Sequence, residues 1–375
     1  MFSSLTQEQS FTQKVLNMNW GLMLLITLMA GVGVLCLYSA ANGSFTPWAS
    51  RHILRFIVCF IGMLCIALID IRWWYRFAYI PFILGLLLLL TVEITGRVGM
   101  GAQRWIDLGF MQLQPSELMK IAIIMALAKY YNAIGVDNAS SPVLMIAPLL
   151  IVGLPAGLVL IQPDLGTSVI IILAGLGVMY LAGVTIWFFL SAFVAGVLSL
   201  PVAWQFLHDY QKDRIMTFLN PESDPLGSGY HILQSKIALG SGGLEGKGFL
   251  KGTQSHLNFL PEKQTDFIFT LWAEEWGMLG GFALFLIIGL ILAYCSWIAL
   301  QCRQRFARLL AIGLTINFSL YAIINIAMVM GVIPVVGVPL PLISYGGTSM
   351  LAVMISFGLM MSCYIHRDRK LQAFF

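Results

Sequence analysis

The sequence predicts an all-α polytopic membrane protein of about ten transmembrane helices with one large extracytoplasmic loop, and three observations carry that prediction. Hydrophobic residues fill 59% of the 375 positions and charged residues only 10%, whereas a soluble domain carries roughly 25% charged residues. Mean hydropathy is +0.87, and apolar runs recur along almost the whole length. Residues 1–375 therefore read as a single membrane domain rather than as a soluble domain with an anchor. The third observation is a polar stretch, 207–266, rich in Gly, Ser, His and charge. It is far longer than an ordinary connection, a departure that points to function or disorder. The stretch is not low-complexity, which favours function.

Apolar runs lie near 20–40, 53–69, 77–95, 117–134, 143–161, 168–184, 186–206, 267–298, 309–330 and 348–365. Each approaches the ~20 residues that a ~30 Å hydrocarbon core demands. The shortest break, at Gly183 and Val184, leaves nine spans as the alternative count. The first run is preceded by Glu8 and Lys14 and has the length of a span, so no cleavable signal peptide is expected. The cysteines Cys36, Cys59, Cys65, Cys295, Cys302 and Cys363 fall inside apolar runs or at their ends, with neither a disulfide framework nor metal spacing.

An even number of spans puts both termini on one side. With both ends cytoplasmic, that side holds Lys14, Arg72, Arg76, Lys129, Arg303, Arg305, Arg308, Arg367, Arg369 and Lys370. The short outer connections hold Arg51, Arg55, Arg97, Arg104 and Lys120. Positive charge in short loops is retained inside, so this bias sets the orientation and turns the long loop outward.

Several polar residues interrupt the apolar background. Arg104, Trp105 and Asp107 form a compact outer loop in GAQRWIDLGFMQLQ, where Trp105 suits an interfacial anchor. Glu117 and Lys120, in QPSELMK, are three apart and share a helix face. Charges at membrane depth face a protein interior or a wet cavity. Both a structural pair between helices and a substrate contact fit that placement. Pro148, Gly153, Pro155, Gly157 and Pro163 break or kink the next region. Asp164, at the tip of IQPDLGTS, is either the cap of the following helix or a chemical group.

Within the long loop, GYHILQSKIAL makes a short amphipathic helix with Ile232, Leu233 and Ile237 on one side. GSGGLEGKG is not a Walker loop, because Ser241 and Gly248 stand where the motif needs Gly and a hydroxyl; a flexible or tight turn remains. The stretch KGTQSHLNFLPEKQTDFIF then gathers His256, Glu262, Lys263 and Asp266 where the chain returns to the membrane. A continuous helix from Asp266 to about Trp297 would be ~48 Å long, more than the core requires, so its first turns must tilt, kink or project outward. The carboxylates Glu274 and Glu275 lie in those turns, one facing inward to a neighbouring helix. Finally, Pro334, Pro339 and Pro341 make the segment before the last span irregular, as in a re-entrant cavity lining.

QRWIDLG, QPSELMK, QPDLGTS, LPEKQTDFIF leading into AEEWG, and VVGVPLPLISYGGTS follow one another in this order. Together they resemble the SEDS family (shape, elongation, division, sporulation) of cell-wall polymerases over nearly the whole chain, and its rod-shape members more than its division members. The resemblance implies a peptidoglycan glycosyltransferase that polymerises lipid II on the outer face of the cytoplasmic membrane. It also implies Asp266, in KQTDFIF, as the functional aspartate, with the role of general base. The leaving pyrophosphate needs positive charge, for which Arg104, Lys120, Lys263 or a divalent cation, Mg or Mn, are candidates. Glu117 and Asp164 fall in family motifs and are candidates to line the same cavity. Implied partners are lipid II and the lipid-linked glycan, a class B penicillin-binding protein, other membrane proteins of the elongation complex, and membrane lipid; no nucleic acid is expected. A lipid II flippase or other transporter, and a non-catalytic scaffold, use the same frame and are the alternative readings.

The orientation has a direct test. In a background without native cysteines, a cysteine at Ser255 is expected to react with an impermeant thiol reagent in cells with a permeabilised outer barrier, and one at Gln304 is not. The reverse pattern would invert the topology.

Overall fold

The computed structural model describes residues 10–95, 97–99, 102–107, 109, 112–206, 209–220, 228–256 and 262–368. A short helix α1 (Phe11–Leu16) precedes α2 (Trp20–Ala40), α3 (Ala49–Leu68), α4 (Ile71–Phe77) and α5 (Tyr79–Thr95). Three short strands follow, β1 (Arg97–Gly99), β2 (Ala102–Asp107) and β3 (Gln112–Leu113). Then come α6 (Pro115–Ile134), α7 (Pro142–Ile161), α8 (Leu165–Leu181) and α9 (Ile186–Phe206). The long loop holds α10 (Asp209–Leu219), α11 (Ser228–Ser241) and α12 (Thr253–His256). The chain closes with α13 (Ile268–Gln301), α14 (Arg305–Val329) and α15 (Gly347–Ile365).

The helical stretches fall on the apolar runs expected from sequence, and the protein is an all-α multi-pass membrane fold. Among the described residues six helices qualify as spans by length and hydropathy alone (α2, α3, α7, α13, α14 and α15), and α4 with α5, bent by 52°, makes a seventh if the pair counts as one span. Three charges, Glu117, Lys120 and Lys129, interrupt α6, while α8 is apolar but shorter. The loop after α5 departs from a purely helical reading. It forms a small antiparallel sheet in the order β1-β2-β3. Arg369, Lys370 and residues 257–261 lie outside the described residues.

Inner and outer helices separate by burial. The spanning window of α15 is 78% buried and that of α14 61%, against 22% for α3. α6 is buried on nearly every side from Pro115 to Ala128. Such a helix is enclosed by protein, whereas α9 exposes most of its described side chains and forms a rim.

Two breaks in regular backbone shape the end of the bundle that carries the Asp266 turn. The first lies inside α13 at Gly277, whose φ of 62° and ψ of −160° leave the helical region. The GSGGLEGKG loop fills the gap: Lys247 and Gly248 N–H donate to the Glu274 and Glu275 carbonyls at 3.0 Å, and Met278 and Leu279 N–H donate to Gly243 and Leu244 carbonyls at 2.9 and 3.1 Å. A Cβ on Gly246 would lie 2.1 Å from the Glu275 carbonyl oxygen, so only glycine permits this approach. The loop is thus a tight, docked turn. The second break is the segment 331–346, which runs without helix between α14 and α15 and is buried from Leu340 to Ser344. The irregular backbone is the one expected from its prolines.

The face of α11 needs correction. Ile232, Ser235 and Ala238 are buried, while Ile237 is 50% exposed. Ser235 Oγ lies 2.9 Å from Thr270 Oγ1 of α13 and donates to the Val329 carbonyl at 2.9 Å. Its buried stripe therefore follows hydrogen-bonding partners on α13 and α14, which the apolar pattern alone does not reveal.

Candidate active site

Asp266 lies in a turn, residues 262–267, that leads into α13. Thr265 and Phe267 N–H donate to the Glu262 carbonyl at 3.0 and 3.4 Å, and the Glu262 carboxylate accepts from Thr265 Oγ1 at 2.9 Å. Three consecutive carbonyls of this turn are captured from outside it. Tyr345 N–H donates to Gln264 at 2.8 Å, Ser344 Oγ to Thr265 at 2.6 Å and Asn325 Nδ2 to Asp266 at 2.9 Å. The Asp266 side chain meets the irregular segment: a Cβ on Gly337, where φ is 72°, would lie 3.4 Å from Asp266 Oδ2. Lys263, in the same turn, is only 6% exposed, and burial lowers its ammonium below the ordinary lysine value.

The candidates from the earlier motifs come together in two pairs. Lys120 Nζ donates to Glu117 Oε1 at 2.7 Å with both groups buried, the i,i+3 pairing expected from QPSELMK. Tyr321 of α14 completes this cluster, its hydroxyl donating to Glu117 Oε2 and its ring lying 4.2 Å from Lys120 Nζ. In the second pair, Arg104 Nε is 3.6 Å from Asp164 Oδ2. Asp164 is also the cap of α8, accepting from Thr167 N–H at 3.2 Å and Thr167 Oγ1 at 2.9 Å. Gln114, at the start of α6, donates to Asp164 at 3.3 Å and links the pairs.

Backbone packing connects these pairs to Asp266. A Cβ on Gly166 would lie 2.9 Å from Val336, so the start of α8 presses on the residue next to Gly337. Tyr321 packs with Ile170 of α8 and Val338 of the irregular segment. Asn325 stands one turn beyond Tyr321 on α14, so one helix face touches both Glu117 and the Asp266 turn. His256 goes elsewhere: its Nε2 is 3.1 Å from Glu275 Oε1 and its Nδ1 meets Asn42, while Ser39 of α2 donates to the same Glu275 oxygen. Glu275 thus holds α13 to α2, the inward hydrogen bond anticipated for one of the two carboxylates. Glu274 ties down the loop through Lys247 Nζ at 2.8 Å and Gln254 N–H at 2.9 Å.

Tyr321, Asn325, Ser344 and Gln114 were not singled out by the motifs. The available signal was a pair of hydrogen-bonding residues, Tyr321 and Asn325, spaced i,i+4 within an apolar run.

Residues 14–370 match the family model described as "Cell cycle protein", whose members are FtsW, RodA and SpoVE. The chain belongs to this family. It is 44% identical over 347 residues to the peptidoglycan glycosyltransferase MrdB of Escherichia coli K12, covering 92% of this chain and 93% of that one. It is 38% identical to MrdB of Helicobacter pylori 26695, covering 81% and 80%. Among solved structures, a chain from a peptidoglycan synthase complex that coordinates polymerization and crosslinking superposes with a TM-score of 0.82 at 30% identity, covering 93% of this chain and 98% of that one. The rod shape determining protein RodA of Thermus thermophilus superposes with a TM-score of 0.72 at 27% identity, covering 94% and 98%. The FtsW/RodA/SpoVE match therefore spans both charged pairs, the Asp266 turn and the irregular segment.

The buried pair in α6 gives a stability prediction. Lys120→Met leaves Glu117 buried without its cation and is expected to cost about 3–5 kcal/mol, whereas Lys120→Met with Glu117→Gln costs much less. Unfolding of the detergent-solubilised protein measures both. A loss in the double variant equal to the sum of the Lys120→Met and Glu117→Gln losses would show that the two charges are not energetically coupled.

Proposed function

We propose that this chain polymerises lipid II into glycan strands on the outer face of the cytoplasmic membrane, with both termini cytoplasmic and Asp266 as the general base. It is a peptidoglycan glycosyltransferase of cell elongation and rod-shape maintenance, in keeping with the MrdB relatives. The observation that carries the mechanism is the Asp266 turn, whose carbonyls are captured at residues 264, 265 and 266 so that the carboxylate stands against Gly337.

The chemistry follows from that placement. The acceptor hydroxyl oxygen bonds to the anomeric carbon of the donor sugar, and the bond from that carbon to the lipid pyrophosphate breaks. The hydroxyl proton passes to the Asp266 carboxylate, a transfer worth typically 10²- to 10⁴-fold in rate. No ATP is needed, because the donor is already activated. Lys263, Arg104 and Lys120 are the proposed cations for the leaving pyrophosphate. Arg104 and Lys120 already face Asp164 and Glu117, so part of their charge is matched within the protein. A divalent cation, Mg or Mn, is the other source of positive charge. Among the described residues no three His, Cys, Asp or Glu side chains converge on one point, which does not fit a cage for a resident ion. No step is assigned to it.

The proposed partner is a class B penicillin-binding protein that cross-links the new strand, with other membrane proteins of the elongation complex around it. The relative from a synthase complex supports this reading.

The decisive assay uses purified protein and lipid II in detergent without nucleotide. Glycan polymer is the expected product. A transporter, which shares the broken helices, moves lipid II across a vesicle membrane and forms no polymer, and a scaffold does neither. Folded protein that binds lipid II yet forms no glycan would overturn the reading.

A further inference from the structure

Asn325 is fully buried near the outer end of α14, in a run that is otherwise mostly apolar. Its Nδ2 donates twice, to the Asp266 carbonyl at 2.9 Å and to the Val338 carbonyl at 2.7 Å. Both partners are acceptors, so the amide has one workable orientation, with its NH₂ toward them. Its Oδ1 is buried with no partner among the described residues.

The two acceptors are the two sides of the candidate site. Asp266 is the proposed base, and Val338 follows Gly337, the residue against which the Asp266 carboxylate stands. One NH₂ group therefore ties the backbone of the proposed base to the stretch beside its own carboxylate. The neighbouring contacts from Ser344 and Tyr345 hold Thr265 and Gln264, one and two residues before the base, and the contact from Asn325 reaches the Asp266 carbonyl.

We infer that Asn325 is a positioning residue for the transfer reaction, fixing Asp266 by bridging the Asp266 and Val338 carbonyls; the inference rests on Asp266 as the base. A displacement of about 1 Å at a reacting group can cost on the order of 10²-fold in rate. Removing the bridge lowers turnover and leaves substrate binding, which Asn325 does not touch, nearly unchanged.

The test compares Asn325→Ala and Asn325→Leu, which both remove the donors and differ in volume, with Asn317→Ala as a control. Asn317 is a second buried asparagine on α14, with its Oδ1 unpartnered and no hydrogen bond to the Asp266 turn among the described residues. With purified, thermally stable protein, kcat for lipid II polymerisation is expected to fall roughly 10- to 100-fold in whichever Asn325 variant is recovered folded, with KM within about two-fold. Asn317→Ala keeps its kcat. In an Asp266→Asn background, Asn325→Leu gives no further loss, because the group it positions is already gone. An unchanged kcat in a folded Asn325 variant, or a further loss in the double variant equal to that in the single one, overturns the positioning role. If Asp266→Asn is itself active, it is the base assignment that fails.

Discussion

The fold depends on satisfying irregular backbone within a packed membrane protein. Residues 331–346 leave helical structure inside a membrane protein, and each N–H and C=O that loses its helical partner costs several kcal/mol unless protein supplies another. The supply is visible residue by residue. His52 Nε2 lies 3.1 Å from the Leu342 carbonyl, Asn325 holds the Val338 carbonyl, Ser344 Oγ accepts from Leu340 N–H at 2.8 Å, and Val336 N–H meets the Met328 sulfur at 3.4 Å. Ser344 and Asn325 do this while also holding the Asp266 turn. The groups that make an irregular segment tolerable are thus the groups that locate the carboxylate, and the site is a consequence of how the break is satisfied.

Charge obeys the same constraint. Glu117 and Lys120 sit at 4% and 1% exposure and neutralise one another, with Tyr321 taking the remaining carboxylate oxygen. Asp164 takes the start of α8, Thr167, Gln114 and Arg104. Asp266 differs in being half-buried, which in the proposed reaction leaves its carboxylate open to a substrate hydroxyl. In the proposed reaction the inner pairs shape and polarise the cavity, and the outer carboxylate takes the proton.

Much of this was legible in the sequence because the bilayer imposes a simple code. Runs of about twenty apolar residues marked the spans, the i,i+3 spacing gave the Glu117 to Lys120 pair, and three prolines marked the irregular segment. What escaped was long-range. The break at Gly277 carries no proline and exists because residues 243–248, about thirty positions earlier, dock into it. The buried face of α11 was misassigned because Ser235, a polar residue, is its anchor through Thr270 and Val329. The strands after α5 are two to six residues long and too short to stand out from loop. Tyr321 and Asn325 were hidden by their apolar neighbours, since a single polar residue in a span signals nothing until its partners are known.

The central claim, that Asp266 takes a proton from the acceptor, is tested most directly by the rate of glycan formation by purified Asp266→Asn at matched protein and lipid II. Asparagine keeps the shape of the side chain and serves a helix start about as well as aspartate, but it lacks the basic oxygen. The account predicts a folded protein that binds lipid II and polymerises it roughly 10²-fold more slowly or worse. Polymerisation near the unmodified rate would contradict it.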